Sequence, residues 1–198
     1  AFACFGLTDV DNALFDWKRL SAMTNNGMTK VPTGFEATAT THNISSGYNP
    51  VTDSINYSQD NAMVEVFLQF TTDTANNARI VSASSDLEIR LSQSDIQMRI
   101  NSAQRIDIFA DPTFESNTLY SVARLNSTNL TGFKNGVQGS NPVDATTRNG
   151  LATILVGGTS AAVLGIYSSL LAGGAVGFNQ SSHNTNIVTL LTALGVLP

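Results

Sequence analysis

The sequence predicts an all-β protein, two antiparallel sheets packed as a sandwich and closed by one short C-terminal α-helix. Three observations carry this. Apolar residues recur with period two in segment after segment, most cleanly in Leu87-Glu88-Ile89-Arg90-Leu91 and Ile96-Gln97-Met98-Arg99-Ile100. Turn-forming residues separate those segments, and Asn135-Gly136 after Phe133 is a strong hairpin turn. Only one stretch switches to helical spacing: Ile187, Leu190, Leu191 and Leu194 stand at i, i+3, i+4 and i+7.

The elements follow in order. Phe2 to Leu7 reads as a first strand, and Asp9 to Trp17 as a turn. Trp17, the only tryptophan, is expected in the core or closing one end of the sandwich. Asn25 to Gly34 is turn-rich, Phe35 to Thr41 a strand, and His42 to Asn61 a long polar loop. Met63 to Thr71 is the clearest strand, with Val64, Val66, Leu68 and Phe70 on one face; Phe67 beside Glu65 and Gln69 on the other marks it as central. Arg79 to Ala83 is a short apolar strand. The two segments Leu87–Leu91 and Ile96–Ile100 form a hairpin with one wet face, where Glu88 and Arg90 read as cross-strand surface charges. Arg105 to Phe109, Leu119 to Leu125 and a strand through Phe133 continue the pattern. Asn141 to Asn149 is loop, Leu151 to Gly157 a strand, and Ile166 to Phe178 another strand or two. Ser181, Ser182 or Asn184 caps the final helix, which Gly195 and Pro198 close. No internal repeat or linker divides residues 1–198, so one domain is expected.

Composition narrows the function. Hydrophobic residues make up 42%, enough for a sizeable core, and charged residues only 13%, against 61 Ser, Thr and Asn. The surface is therefore built from hydroxyls and amides. A net charge of −5 without a basic run argues against nucleic acid and against docking on anionic lipid. Cys4 stands alone, which excludes an internal disulfide and a cysteine-based zinc site. No segment reaches the ~18 apolar residues of a membrane-spanning helix, so no membrane insertion is expected. Ala1 without a methionine or signal peptide reads as a processed product or the ordered part of a longer polypeptide.

His42 and His183 are the only histidines, and both are expected to be solvated surface groups. No Ser-His-Asp order, metal-binding histidine pair or phosphate loop is present; Gly157-Gly158 before Thr159-Ser160 lacks the lysine of a phosphate loop. Asp9 with Asp11, Asp53 with Asp60, and Asp144 are the donors from which a structural calcium would be built; none belongs to a spaced ligand series, so no cofactor or metal is expected. Asn43, Asn56, Asn126, Asn129 and Asn179 each begin an N-x-Ser/Thr triplet, as chance provides in such a composition. Sugar recognition sets an aromatic ring against the apolar face of a sugar and amides or carboxylates on its hydroxyls. Tyr48, Asn49, Tyr57 and Asp60 in the long loop are the carbohydrate-binding candidates, against the alternative that both tyrosines simply fold the loop onto the sheet.

The unit Leu119 to Val137, a strand, a turn at Asn126 to Asn129, a strand and Asn135-Gly136, resembles one carried by laminin-G-like and concanavalin A-like domains. Further blocks extend the likeness in order along the chain. They are Asn12 to Lys18 with Gly34-Phe35-Glu36, Ile44 to Pro50 with Asn56 to Asn61, Ile154 to Gly158, Val176-Gly177-Phe178, and Leu191 to Val196. These are similar to lectin-like domains of bacteriophage and prophage structural proteins. The resemblance implies a concanavalin A-like jelly roll on a virion surface, in a tail fibre, spike or capsid appendage. It implies attachment to bacterial surface polysaccharide, contacts with other virion proteins, and a homo-oligomer, with a trimer favoured. The alternative is a purely structural decoration protein, with apolar patches from Phe67, Phe109 or Phe133 at a symmetric interface. Glycan-cleaving enzymes of this sandwich class carry Glu-x-Asp-x-Glu on one strand; here Glu65 stands alone with Phe67 and Gln69, and no catalytic residue is expected.

Overall fold

The structure, a computed structural model, describes residues 2–17, 19–53, 57–71, 77–83, 86–92, 94–111, 113–140, 153–157, 162–175 and 179–194. The strands in chain order are β1 Phe2–Cys4, β2 Phe15–Asp16, β3 Ser21–Ala22, β4 Thr24–Asn26, β5 Thr29–Val31, β6 Gly34–Ala37, β7 Asn43–Ser45, β8 Ala62–Thr71 and β9 Arg79–Ala83. They continue as β10 Leu87–Leu91, β11 Ile96–Ile100, β12 Ile106–Phe109, β13 Thr118–Arg124, β14 Leu130–Lys134, β15 Val137–Gln138, β16 Leu155–Gly157 and β17 Gly165–Gly173. Three helices accompany them: α1 Val10–Ala13, α2 Pro50–Asp53 and α3 Gln180–Ala193.

The strands form two antiparallel sheets of the jelly-roll sandwich type. The first runs β15-β14-β13-β8-β17-β6-β5, with β1 also on β17; the second runs β12-β11-β10-β9-β16-β7-β4; β2 and β3 make a small separate ribbon. β8 lies at the centre of the first sheet, as its two-faced apolar pattern predicts. Alternation decides which residues meet between the layers. Val64, Val66, Leu68, Tyr120 and Val122 from the first sheet join Ile44, Val81, Ile89, Met98 and Val156 from the second in one core. Close approach is enforced at Gly132, where a Cβ would lie 2.5 Å from Ile108 Cγ2 and 2.6 Å from Met98 Sδ. The Asn135-Gly136 turn has φ 51° and 77°, the left-handed pair that joins β14 to β15. The Asn135 side chain also accepts from Leu119 N–H at 2.9 Å, tying the turn to β13.

The final helix forms where its spacing predicts, but Asn179 caps it, accepting from Ser182 N–H at 3.0 Å. Its buried stripe is narrower than expected, because Ile187 and Leu191 are buried while Leu190 and Leu194 are exposed. The helix covers the outer face of the first sheet, where Ile187 and Leu191 pack with Cys4, Phe67 and Leu119. Sequence periodicity missed β4, β5 and β7, which lie in segments read as turn or loop. The blocks Asn141–Asn149 and Val176–Phe178, Asp144, Asn56, Gly158 to Ser160, and the closing Gly195 and Pro198 fall outside the described residues. No helix among the described residues is long and apolar enough to cross a membrane.

Candidate functional site

The long loop does not present its aromatic rings. Tyr48 and Tyr57 are 3% and 6% exposed and belong to the core. Tyr57 donates its hydroxyl to Asn101 Oδ1 at 3.0 Å, and burial pushes its pKa well above that of a free tyrosine. Asn49 and Asp60 stay at the surface, half-buried and exposed respectively, and Asn49 N–H donates to Asp53 Oδ2 at 2.9 Å. The four residues therefore do not form one aromatic-plus-amide face. The tyrosines instead follow the alternative, folding the loop onto the sheet, and the cause is hydrophobic: the rings are the apolar mass that seats an otherwise polar loop.

An exposed aromatic stands nearby instead. Trp17, expected in the core or closing one end of the sandwich, is 47% exposed and forms a wall of a pocket of about 290 Å³ with Leu7, Thr8, Asp9 and Asn12. Its placement follows from local polar anchors. Asp9 caps α1 by accepting from Asn12 N–H at 2.8 Å. Buried Asp16 Oδ1 accepts from Phe2 N–H at 3.1 Å and from Arg19 N–H at 3.2 Å, while Trp17 N–H donates to Phe2 C=O at 3.0 Å. The turn is thus clamped to β1, and Phe15 meets the Trp17 ring edge-on at 5.6 Å. Three residues on, Leu20 is 74% exposed at φ 57°, a conformation unfavourable for a bulky side chain.

Arg19 links this turn to the loop behind it. Its guanidinium lies 5.6 Å above the Tyr48 ring, 3.7 Å from Asp53, and within 3.4 Å of Ser46 C=O. Tyr48 therefore acts as support for the Trp17 turn and not as a contact surface. The sequence signal that was available is the company Trp17 keeps: acidic and amide residues precede it, and Lys18-Arg19 follow.

The outer sheet faces hold the other candidate chemistry. On the first sheet, Glu65 is 1% exposed beneath α3, accepting from Ser121 Oγ at 2.6 Å and lying 2.7 Å from His183 Nε2. A nucleophilic triad needs histidine between hydroxyl and acid; here the carboxylate is in the middle, so the hydroxyl is turned away from the imidazole. His183 is consequently a helix anchor, contrary to its expected solvated state. His42 is likewise half-buried, with Nδ1 enclosed.

On the second sheet, the expected cross-strand surface pair is an ion cluster. Glu88 is 2% exposed and contacts Arg79 Nε, Arg99 Nη2 at 2.9 Å and Arg105 Nε at 2.8 Å. Burial raises its pKa, but the Arg105 hydrogen bond and the charges of Arg99 and Arg79 outweigh that and hold the carboxyl below the usual range. Among the described residues no three His, Cys, Asp or Glu side chains converge as a metal site.

Fold and pocket define a class, the jelly-roll sandwich with an aromatic-walled surface pocket, and several solved structures share the fold. Domain 4 of AbnA, an extracellular arabinanase from Geobacillus stearothermophilus solved with arabinotriose, superposes with a TM-score of 0.64 at 11% identity, covering 92% of this chain and 96% of that one. The binding domain of botulinum neurotoxin serotype D gives 0.60 at 9% identity, over 93% and 51%. Trypanosoma rangeli sialidase gives 0.54 at 8% identity, over 76% and 26%. The chain thus spans nearly all of the first, about half of the second and about a quarter of the third. No family profile and no curated protein matches the sequence.

Proposed function

We propose that this domain is a glycan-binding module that does no chemistry on its ligand and uses the Trp17 pocket as its saccharide site. The observation that carries the reading is the half-exposed indole on an apolar pocket, with exposed Asp9 and Asn12 among the residues around it. A sugar's C–H face packs on the Trp17 ring, and its hydroxyls donate to Asp9 and exchange hydrogen bonds with the Asn12 amide. Asp9 Oδ2 and the Asn12 side chain make no other hydrogen bond among the described residues. The fold shared with a domain solved with arabinotriose is consistent with this use. The burial of Glu65 supports a binding role over hydrolysis, since a carboxylate roofed by a helix has no approach for a glycosidic oxygen.

The finer assignment rests on the sequence likeness to phage and prophage surface domains. On that reading the module belongs to a virion surface and engages bacterial surface polysaccharide. A purely structural decoration role is less favoured, because Phe67 is buried and Phe109 and Phe133 are half-buried, leaving none as a large exposed apolar anchor. The test is calorimetric titration of the domain with a panel of neutral oligosaccharides, arabinotriose included, and binding to whole bacterial cells. Saturable binding lost in Trp17→Ala and kept in Tyr48→Phe supports the site. Binding that survives Trp17→Ala removes the pocket from the account, and no binding to any saccharide or cell removes the function.

A further inference from the structure

Four of the ten cationic side chains, Arg79, Arg90, Arg99 and Arg105, gather on or beside β9 to β12 in a chain of net charge −5. They face three carboxylates: Glu88 at their centre, Asp107, which accepts from Gln97 Nε2 at 2.6 Å, and buried Asp86, whose charge acts on Arg99. The guanidinium groups divide by use. Arg90 is held at all three nitrogens, giving Nε and Nη2 to Gln97 Oε1 and Nη1 to Asn77 Oδ1. Arg99 is buried between Glu88 and Ala103 C=O. Arg79 and Arg105 differ, for each gives only Nε to Glu88. Their terminal nitrogens make no hydrogen bond among the described residues, and their side chains are 24% and 36% exposed.

We propose that this face of the second sheet is a second binding surface, taking the carboxylates of an acidic polysaccharide on the terminal nitrogens of Arg79 and Arg105. A guanidinium presents a planar fork that matches a carboxylate in two parallel hydrogen bonds. Glu88 fixes both forks through Nε, so little side-chain freedom is lost when a ligand carboxylate arrives. Four guanidinium groups against the three carboxylates leave the cluster with one net positive charge. The lowered pKa values of Arg90 and Arg99, caused first by burial and then by the neighbouring Arg105, report the same crowding of positive charge. None of the four guanidinium groups lies over an aromatic ring among the described residues. The neighbouring amides Gln97 and Asn77 are engaged by Arg90, and Gln97 also by Asp107, so the two forks are what the face offers a ligand.

The inference is independent of the Trp17 site, and the experiment keeps the two apart. Polygalacturonate binding would be measured against neutral arabinan for the wild-type domain, Trp17→Ala, Arg79→Gln and Arg105→Gln, at low and high salt, with inorganic phosphate and single-stranded RNA as competitors. Polygalacturonate affinity is expected to survive Trp17→Ala, to fall about tenfold in either arginine variant and to weaken with salt. Arg79→Lys and Arg105→Lys keep the charge on Glu88 and guard against misfolding, their integrity being read from the denaturation midpoint. These lysine variants are expected to fold as wild type and bind more weakly. Binding unchanged by all four arginine variants, or lost in Trp17→Ala, overturns the proposal. Displacement by phosphate or RNA as readily as by galacturonate oligomers also overturns it, since the face would then be a general anion patch.

Discussion

The outer faces of the two sheets use buried glutamates in opposite ways. On the first sheet Glu65 faces one hydroxyl and one histidine beneath α3, in a layer with Phe67, Leu119, Ile187 and Leu191 around it. On the second sheet Glu88 is enclosed by its own ion partners; Arg99 is buried against it, and the stems of Arg79 and Arg105 shield it while their cationic heads keep contact with solvent. Burial at the first site is achieved by apolar packing, and at the second by the amphipathic length of arginine. A face sealed by a helix can only contribute stability, whereas a face sealed by its own charged side chains keeps groups that a ligand can reach.

This contrast can be broken at either end. Removing the apolar floor under α3 has the largest expected effect: Phe67→Ala should cost roughly 3–5 kcal/mol, read from chemical denaturation. An unchanged midpoint would mean that the helix contributes little to the first sheet. Glu88→Gln should cost about 3 kcal/mol at neutral pH, the lower end for an uncompensated buried charge because Arg79 and Arg105 retain solvent. The sign of its pH dependence follows from the lowered pKa. The unfolded chain binds the proton first as pH falls, so the contribution is complete above the ordinary glutamate value and is lost as pH drops through the folded value. In Glu88→Gln the acid limb of the stability curve should flatten, and an identical limb would mean that the cluster does not hold the carboxyl down. Gly136→Ala should cost about 1–2 kcal/mol, because its φ is 77° and the new Cβ would stand 3.2 Å from Asn184 Cβ on α3. The smallest effect is expected at the pocket: Trp17→Ala should shift stability by less than about 0.5 kcal/mol. A larger loss would return Trp17 to the structural role first expected of it.

Much of the sandwich was legible because alternation is a local signal. β9, β10 and β11 appear at the predicted residues, and β8 and α3 within a residue of them. The missed strands are polar: Thr24–Asn26 and Asn43–Ser45 pair with each other at the sheet edge, where Ile44 is the one apolar residue that marks an inner face. Their pairing is decided by a neighbour, which sequence does not display. The site was less legible for a related reason. Tyr48 and Trp17 are both aromatic residues in polar stretches, and only tertiary anchors decide which faces inward. Asp16 and Arg19 hold the tryptophan turn out, while Arg19 covers the Tyr48 ring. Glu65 was noticed as a lone carboxylate, yet its histidine lies 118 residues away along the chain. Glu88 was read with Arg90 of its own strand as surface charge, but it is buried, and its partners are Arg99 across the hairpin and Arg79 and Arg105 from outside it.

The position of β17 in the first sheet has a consequence for the living cell. It lies between β8 and the pair β6 and β1, so the sheet cannot close until residue 173 has been made. α3, which covers Phe67, begins at residue 180, 109 residues after β8 ends. At ordinary rates of translation that interval lasts roughly 5–20 seconds. For that time a nascent chain carries a long strand of β-branched and aromatic residues with an open edge and an uncovered outer face. Ribosome-associated chaperones are the natural guardians of such an intermediate, and the yield of soluble protein should depend on how fast β17 and α3 follow β8.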